Sequence, residues 1–334
     1  MGTKLWDVRN YVDDLSTYPQ VQDIITGFRQ DEIIAIPTET VYGLAANAKS
    51  RIAVNKIFKA KGRPQDNPLI VHIYDSAQID DFASIPYSET HRLMDAFWPG
   101  PISFILPLKN DMLAENVTAG LDSVAVRMPS ERIARQLLAL TQLPLAAPSA
   151  NTSGKPSPTT AEHVKFDMDG KIYGIVQGFQ VDVGIESTVV DCTSYPFKIA
   201  RPGAITARDL ERIVPGCVGD ANYTSDKPIA PGMKYRHYAP DSPLELVTDV
   251  SQLTLKASEA LIAPLAELTR FSGHITYPLS NTYEDISGAM HNLYGALREM
   301  DQQAGITKIY IADYTHITGS EALMNRINKA TSGK

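Results

Sequence analysis

The chain has 334 residues, of which 43% are hydrophobic and 21% charged, and its formal net charge is −7. This is too long for one ordinary core, suits two domains, and has the composition of a soluble globular protein. The acidic balance disfavours a broad nucleic-acid face, which needs clustered Lys and Arg. Cys192 and Cys217 are too few and too far apart for a zinc knuckle or a CxxC motif, and neither a signal-peptide core nor a membrane-spanning apolar run is evident. The expected compartment is a reducing cytoplasm.

The first two-thirds alternates segments of helical and strand periodicity. Val21, Ile24, Ile25 and Phe28 fall at helical spacing, and residues 32–36 read as a strand. Residues 50–60 carry Ile52, Val54, Ile57 and Phe58, an amphipathic helix stopped by Gly62 and Pro64. A buried strand follows at 69–74, and then a helix over 89–97 that ends at Pro99-Gly100-Pro101. Residues 102–108, 124–128 and 143–147 are further strands, with a helix at 131–141 between the last two. Residues 172–177, 187–192 and 197–200 are also strand-like. More strands than helices predicts an α/β fold with a mixed, twisted sheet.

From 214 to 242 the pattern lapses into a proline- and glycine-rich stretch. Its second half, 231–240, is dense in Tyr, Arg, His and Lys, which favours a loop that docks over a bare linker. Short strands then occur at 244–247, 260–263, 274–277 and 308–312, with helices over 285–300 and 320–329. The expected division is a catalytic domain at 1–213, a linker at 214–242 and a small α/β domain at 243–334. The last is acidic and is no obvious RNA-binding module. The chain contains no GxGxxG, no GxxxxGK[ST] and no internal repeat.

The loop from Pro148 to Pro158, PSANTSGKPSP, follows a buried strand with Ser149, Asn151, Ser153 and Ser157. Hydroxyls and free backbone N–H groups in such a loop can wrap phosphate oxygens. Thr38, Thr40 and Tyr42 in PTETVYG sit at the end of another strand, where α/β sheets bind ligands. Lys56, Lys59, Lys61 and Arg63 make a basic island in an acidic chain, which points to a small anion; a solvated helix end is the ordinary alternative. Asn67 suits a turn or could read a base or ribose, and a lone His72 in an apolar strand is more often structural than functional. In Ser123-Val-Ala-Val-Arg127, alternation puts Ser123 and Arg127 on one face. An arginine on a buried strand must meet either an anionic ligand or an internal salt bridge. Ser187 and Thr188 beside Gly184, and Arg201 before Gly203, complete the candidates.

These side chains are cations, hydroxyls and amides, without a Ser-His-Asp set, paired catalytic carboxylates or a metal cage. Such a kit positions reactants and offsets negative charge, as phosphoryl and nucleotidyl transfer require.

The ordered segments PTETVYGL, KAKGRPQDNPL, FWPGP, VAVRMP, APSANTSGKPSPT, ESTVVD and RPGA resemble the YrdC-like family of threonylcarbamoyl-AMP synthases. PGMKYRHYAP and the small last domain are similar to its long, two-domain form. The resemblance implies a YrdC-like mixed sheet with flanking helices, joined by a long linker to a Rossmann-like domain. It also implies a nucleotidyltransferase that uses L-threonine, bicarbonate or CO2, and ATP with Mg²⁺, and no organic cofactor. Its product would pass to a tRNA threonylcarbamoyl transferase complex; direct weak RNA binding stays open.

By the same resemblance, Lys61, Arg63, Ser149 and Asn151 are the catalytic set. Arg63, Asn67, Ser123, Ser149, Ser157, Arg201 and Tyr238 would contact ATP. Thr40, His72, Arg127, the Ala147 backbone and Ser187 would enclose threonine. Tyr238, or less readily Tyr235, matches a linker tyrosine that folds over the site. A carbamoyl-transfer module of the hydrogenase-maturation type shares the core, but would bring acylphosphatase and zinc-finger-like segments that this chain lacks. A non-catalytic double-stranded RNA-binding or ribosome-associated protein is the rival from another class.

Overall fold

The computed structural model describes residues 2–219 and 237–332, in two units. The described part of the first comprises 2–153, 158–181 and 186–219; that of the second comprises 154–157, 182–185 and 237–332. Most of the stretch expected as a linker, 220–236, lies outside the described residues, and so does Tyr235.

The first unit is built on ten strands: β1 (Lys4–Asp7), β2 (Ile34–Ile36), β3 (Gly43–Asn47), β4 (Ile70–His72), β5 (Ile102–Pro107), β6 (Ser123–Arg127), β7 (Leu145–Ala146), β8 (Gly174–Gln177), β9 (Thr188–Asp191) and β10 (Lys198–Arg201). They form one mixed sheet in the order β1-β8-β2-β3-β7-β4-β6-β5-β9-β10. Its helices are α1 (Val21–Arg29), α2 (Arg51–Lys61), α3 (Ser88–Phe97), α4 (Glu115–Thr118), α5 (Arg132–Thr141), α6 (Ala161–Met168) and α7 (Ala207–Ile213). The α/β class with a mixed sheet is as expected.

Local chemistry sets the helix ends. Ser50 Oγ accepts from Ala53 N at 3.2 Å to start α2, and Gly62, at φ +61°, closes it in the left-handed conformation that glycine adopts without strain. Glu131 caps α5 by accepting from Ala134 N at 2.7 Å.

The two faces of the sheet are covered unequally. One face (Val71, Phe104, Val126 and Val190 among others) packs into the main core with α2, α3, α4, α6 and α7. On the opposite face, α1 and α5 cover only the half made by β2, β3 and β7, through residues such as Ile25, Phe28, Leu137 and Leu138. The other half carries a small buried cluster supplied by strands alone: Ile70, Ile105, Ala125 and Val189.

The sequence pattern missed β1, β3, α4, α6 and α7. The β3 sequence GLAAN has no β-branched residue, and a leading glycine is a turn signal. Instead Gly43 begins β3 opposite Ile36 and bridges to Ser149. A Cβ at Gly43 would stand 3.3 Å from that of Ala147, so small residues let these backbones meet.

In the second unit, β11 (Leu244–Val247), β12 (Glu259–Ala263), β13 (Ile275–Pro278) and β14 (Lys308–Ala312) form an all-parallel sheet in the order β11-β14-β12-β13. Helices α8 (Leu265–Leu268), α9 (Ile286–Gln302) and α10 (Glu321–Thr331) complete it. Residues 154–157 and 182–185 cluster here as well. Arg298 Nη2 donates to Pro156 O at 2.5 Å, Ala239 N to Gly154 O at 2.9 Å, and His291 Nδ1 lies 2.8 Å from Asp182 O.

Candidate active site

A transverse row crosses the half of the large sheet that α1 and α5 do not cover. His72 on β4 is in register with Arg127 on β6, Arg127 with Ser103 on β5, Ser103 with Val189 on β9, and Val189 with Arg201 on β10. Residues in register share a face. His72, Ser103, Arg127 and Arg201 therefore line one surface whose floor is Ile70, Ala125, Ile105 and Val189. Ser123 lies two residues beyond Ala125 on that face. Arg201 reaches it through a register shift between Ile199 and Arg201, a bulge that sets an extra residue against Val189.

Arg127 is 4% exposed. Its Nη1 donates to Thr40 Oγ1 at 2.9 Å, its Nε to Gly100 O at 3.4 Å, and its Nη2 lies 2.7 Å from Glu39 Oε1. Of the two fates open to a buried arginine, an anionic ligand or an internal ion pair, the structure contains the ion pair, and Glu39 is the partner that sequence reasoning missed.

The direction of the hydroxyl chain follows from counting protons. Thr38 Oγ1 donates its one proton to Val41 O at 2.6 Å, so across the 2.9 Å contact between Thr38 and Thr40 it must accept. Arg127 therefore donates to Thr40, Thr40 to Thr38, and Thr38 to the backbone. Tyr42 takes no part: its hydroxyl accepts from Gly178 N at 3.1 Å in the opposite layer.

His72 is buried beside Arg127, and both facts act against a charged ring. Burial first, and the guanidinium second, push its pKa down to about 3, against weaker opposing pulls from the Ile70 and Leu145 backbones. The imidazole is neutral. Its Nδ1 lies 3.3 Å from Ile70 O, a contact that the tautomer with its proton on Nδ1 would make.

At the other end of the row, Arg201 Nε donates to Ser187 O at 3.0 Å and Nη2 to Ser187 Oγ at 3.1 Å, while Ser187 Oγ lies 2.9 Å from Ser103 Oγ. Gly203 follows Arg201 because the chain passes so close to β9 that a Cβ there would stand 2.3 Å from Thr188 N.

The loop after β7 is held from α2. Lys61, 2% exposed at the end of that helix, donates from Nζ to Asn151 O at 2.5 Å and also to Ser149 O. Leu44 N donates to Pro148 O and Ala150 N to Tyr42 O, which fixes the loop against β3. The lysine that the sequence marks for phosphate chemistry is thus also the pin of the loop carrying Ser149 and Asn151. Ala147 N is committed to Ile70 O at 3.0 Å. Arg63 is half-buried and donates to Pro68 O at 3.1 Å, next to Asn67, whose buried Oδ1 accepts no hydrogen bond.

Thr40, Lys61, Arg63, Asn67, His72, Ser123, Arg127, Ala147, Ser149, Asn151, Ser187 and Arg201 all belong to the first unit; Ser157 and Tyr238 belong to the second. There Tyr238, at φ +67°, packs its ring 5.4 Å from that of Tyr294, with Arg326 5.8 Å from its centroid. Besides Glu39, sequence reasoning passed over Ser103, which register with Arg127 alone reveals. Among the described residues no helix is long and apolar enough to cross a membrane.

A family model for Sua5, YciO and YrdC, described as telomere recombination, matches residues 27–203, more than half of the chain. The chain belongs to this Sua5/YciO/YrdC family. A second model, the threonylcarbamoyl-AMP synthase C-terminal domain, matches residues 205–332. The threonylcarbamoyl-AMP synthase of Bacillus subtilis is 43% identical over 350 aligned residues, covering 100% of this chain and 99% of that one. The protein of the same name from Pyrococcus abyssi is 41% identical and covers 92% and 93%. Among solved structures, P. abyssi Sua5 complexed with L-threonine matches with a TM-score of 0.86 at 35% identity, covering 99% of this chain and 98% of that one. E. coli YciO, at 19% identity and a TM-score of 0.55, shares the fold over 62% of this chain. Within the family, the chain thus matches members of the two-domain form along its full length.

Proposed function

We propose that the protein is a nucleotidyltransferase that condenses L-threonine, bicarbonate or CO2, and ATP into L-threonylcarbamoyl-AMP, with release of pyrophosphate. The product is an activated donor for tRNA modification and would be handed to a tRNA threonylcarbamoyl transferase complex. One observation carries this reading. The row of His72, Arg127, Ser103 and Arg201 lies in a chain that matches, over 99% of its length, a protein crystallised with L-threonine.

The chemistry suits the side chains. Threonine's amine adds to CO2 and loses a proton, giving a carbamate. A carbamate oxygen then attacks the α-phosphorus of ATP, and the bond to the β-phosphate oxygen breaks. The nucleophile is already an anion, so the protein's task is to align it and to offset charge.

Arg127, Thr40, His72, the Ala147 backbone and Ser187 would hold threonine; the neutral ring of His72 suits the substrate's hydroxyl. Lys61, Arg63, Ser149 and Asn151 would hold the nucleotide and the transferring phosphate, with Ser123, Ser157, Arg201 and Tyr238 as further ATP contacts. The unengaged Oδ1 of Asn67 supports a contact to a nucleotide donor. Mg²⁺ carried on the phosphates would offset the triphosphate charge.

The test follows pyrophosphate with ATP, Mg²⁺, bicarbonate and each amino acid in turn. Release that requires threonine and bicarbonate is expected. Release with neither, or RNA binding without turnover, overturns the reading.

A further inference from the structure

Glu39 is 5% exposed, and among the described residues Arg127 is its one polar side-chain partner. Among the described residues neither carboxylate oxygen accepts an aligned hydrogen bond, and Nη2 of Arg127 donates none. Buried carboxylates normally have several of their acceptor sites engaged. The backbone that presents Glu39 is, by contrast, tied on both sides: Thr38 Oγ1 accepts from Thr40 N and Val41 N, both at 3.3 Å, and donates to Val41 O. A rigid turn thus presents a carboxylate with unused acceptor capacity at the edge of the row that contains Arg127.

On the threonine-pocket reading of this face, we infer that Glu39 receives the α-ammonium group of the amino-acid substrate while Arg127 receives its carboxylate. An ion pair and a zwitterion are complementary. One carbon separates the two charges of an α-amino acid, and one 2.7 Å contact separates those of Glu39 and Arg127. Binding exchanges partners without stranding a charge: Arg127 turns from Glu39 to the substrate carboxylate, and Glu39 from Arg127 to the ammonium. Each buried charge stays compensated, which removes the penalty for an unpaired ion. A substrate with a carboxylate but no amine would draw Arg127 away and leave Glu39 facing like charge. Glu39 is therefore the specificity residue that selects an amino acid over a hydroxy acid.

The experiment compares dissociation constants for L-threonine and for its 2-hydroxy analogue, 2,3-dihydroxybutanoate, in the full chain and in Glu39→Gln. A charge-assisted hydrogen bond predicts a wild-type preference for threonine of about 10- to 100-fold. In Glu39→Gln the threonine affinity should fall by that factor while the analogue binds as well or better, so the preference collapses. An unchanged preference in Glu39→Gln overturns the inference. A general loosening of the site would weaken both ligands alike and would also overturn it. Retention of fold is read from the melting temperature. Should Glu39→Gln fail to fold, Glu39→Asp keeps the charge but withdraws it by one methylene. It is expected to lose threonine affinity several-fold and to leave the analogue unaffected, and an unchanged preference there overturns the inference too. If the wild-type chain binds no threonine at all, the proposed function fails first, so the two failures are told apart.

Discussion

Acid should weaken this fold through one ring in a way that can be isolated. His72 has an ordinary pKa of 6.5 that burial and Arg127 push down to about 3. Below 6.5 the unfolded chain takes up a proton at this position and the folded chain does not. The stability that follows from the shift is complete above 6.5 and is lost as the pH falls toward 3. At about pH 5, one and a half units below the unfolded value, the loss is about 2 kcal/mol, at about 1.4 kcal/mol per unit. The ring is fully buried, so no solvent screening reduces this figure. Urea unfolding of the wild type and of His72→Gln, each at about pH 7.5 and pH 5, gives the double difference, in which carboxylate titrations common to both chains cancel. The wild type should lose about 2 kcal/mol more than the variant over that interval. A double difference near zero, or an NMR titration of the ring with a midpoint near 6.5, would refute the neutral buried imidazole.

Arg63→Ala should lower pyrophosphate release by about 100-fold or more, the scale of losing a group that tracks transition-state charge, while the half-buried position leaves the melting temperature nearly unchanged; near-normal turnover refutes its role. Lys61→Met should remove the loop's pin, cost about 2 kcal/mol or more in urea unfolding, and abolish turnover, since two backbone carbonyls lose a charged donor together. Gly203→Ala should cost more than Gly62→Ala. The first forces a Cβ to 2.3 Å from Thr188 N, whereas the second meets nothing within 4 Å and pays only for its positive φ, about 1 kcal/mol. Unfolding free energies that reverse this order would contradict the close passage of the chain at β9.

The fold was legible where periodicity is strong. Strands β4, β5, β6 and β9 are β-branched or aromatic runs, and α2 and α5 carry clean apolar stripes. It was illegible at β3, where alanines and a glycine are used because the backbones approach too closely for larger side chains. The site was legible as a set of residue types and motifs, but its arrangement was not. The row from His72 to Arg201 joins residues from five strands whose sequence order and sheet order differ, and nothing local announces that register. Glu39 shows a second limit. Between two threonines in a loop, it looks like an ordinary solvated acid. The signal that could have found it was Arg127, whose burial demanded a counter-charge somewhere in the chain.

The irregularity at the end of β10 has a consequence for how this strand can change. Side chains along a strand obey an odd–even rule, and the supernumerary residue before Arg201 resets it. Regular pairing with that residue kept would put Ala200 opposite Val189 and swing the guanidinium through the sheet into the oily layer with Phe104 and Val190. Losing Ala200 outright leaves Arg201 opposite Val189, so the strand can be shortened by one here and keep its charge on the floor, but it cannot be straightened at its present length.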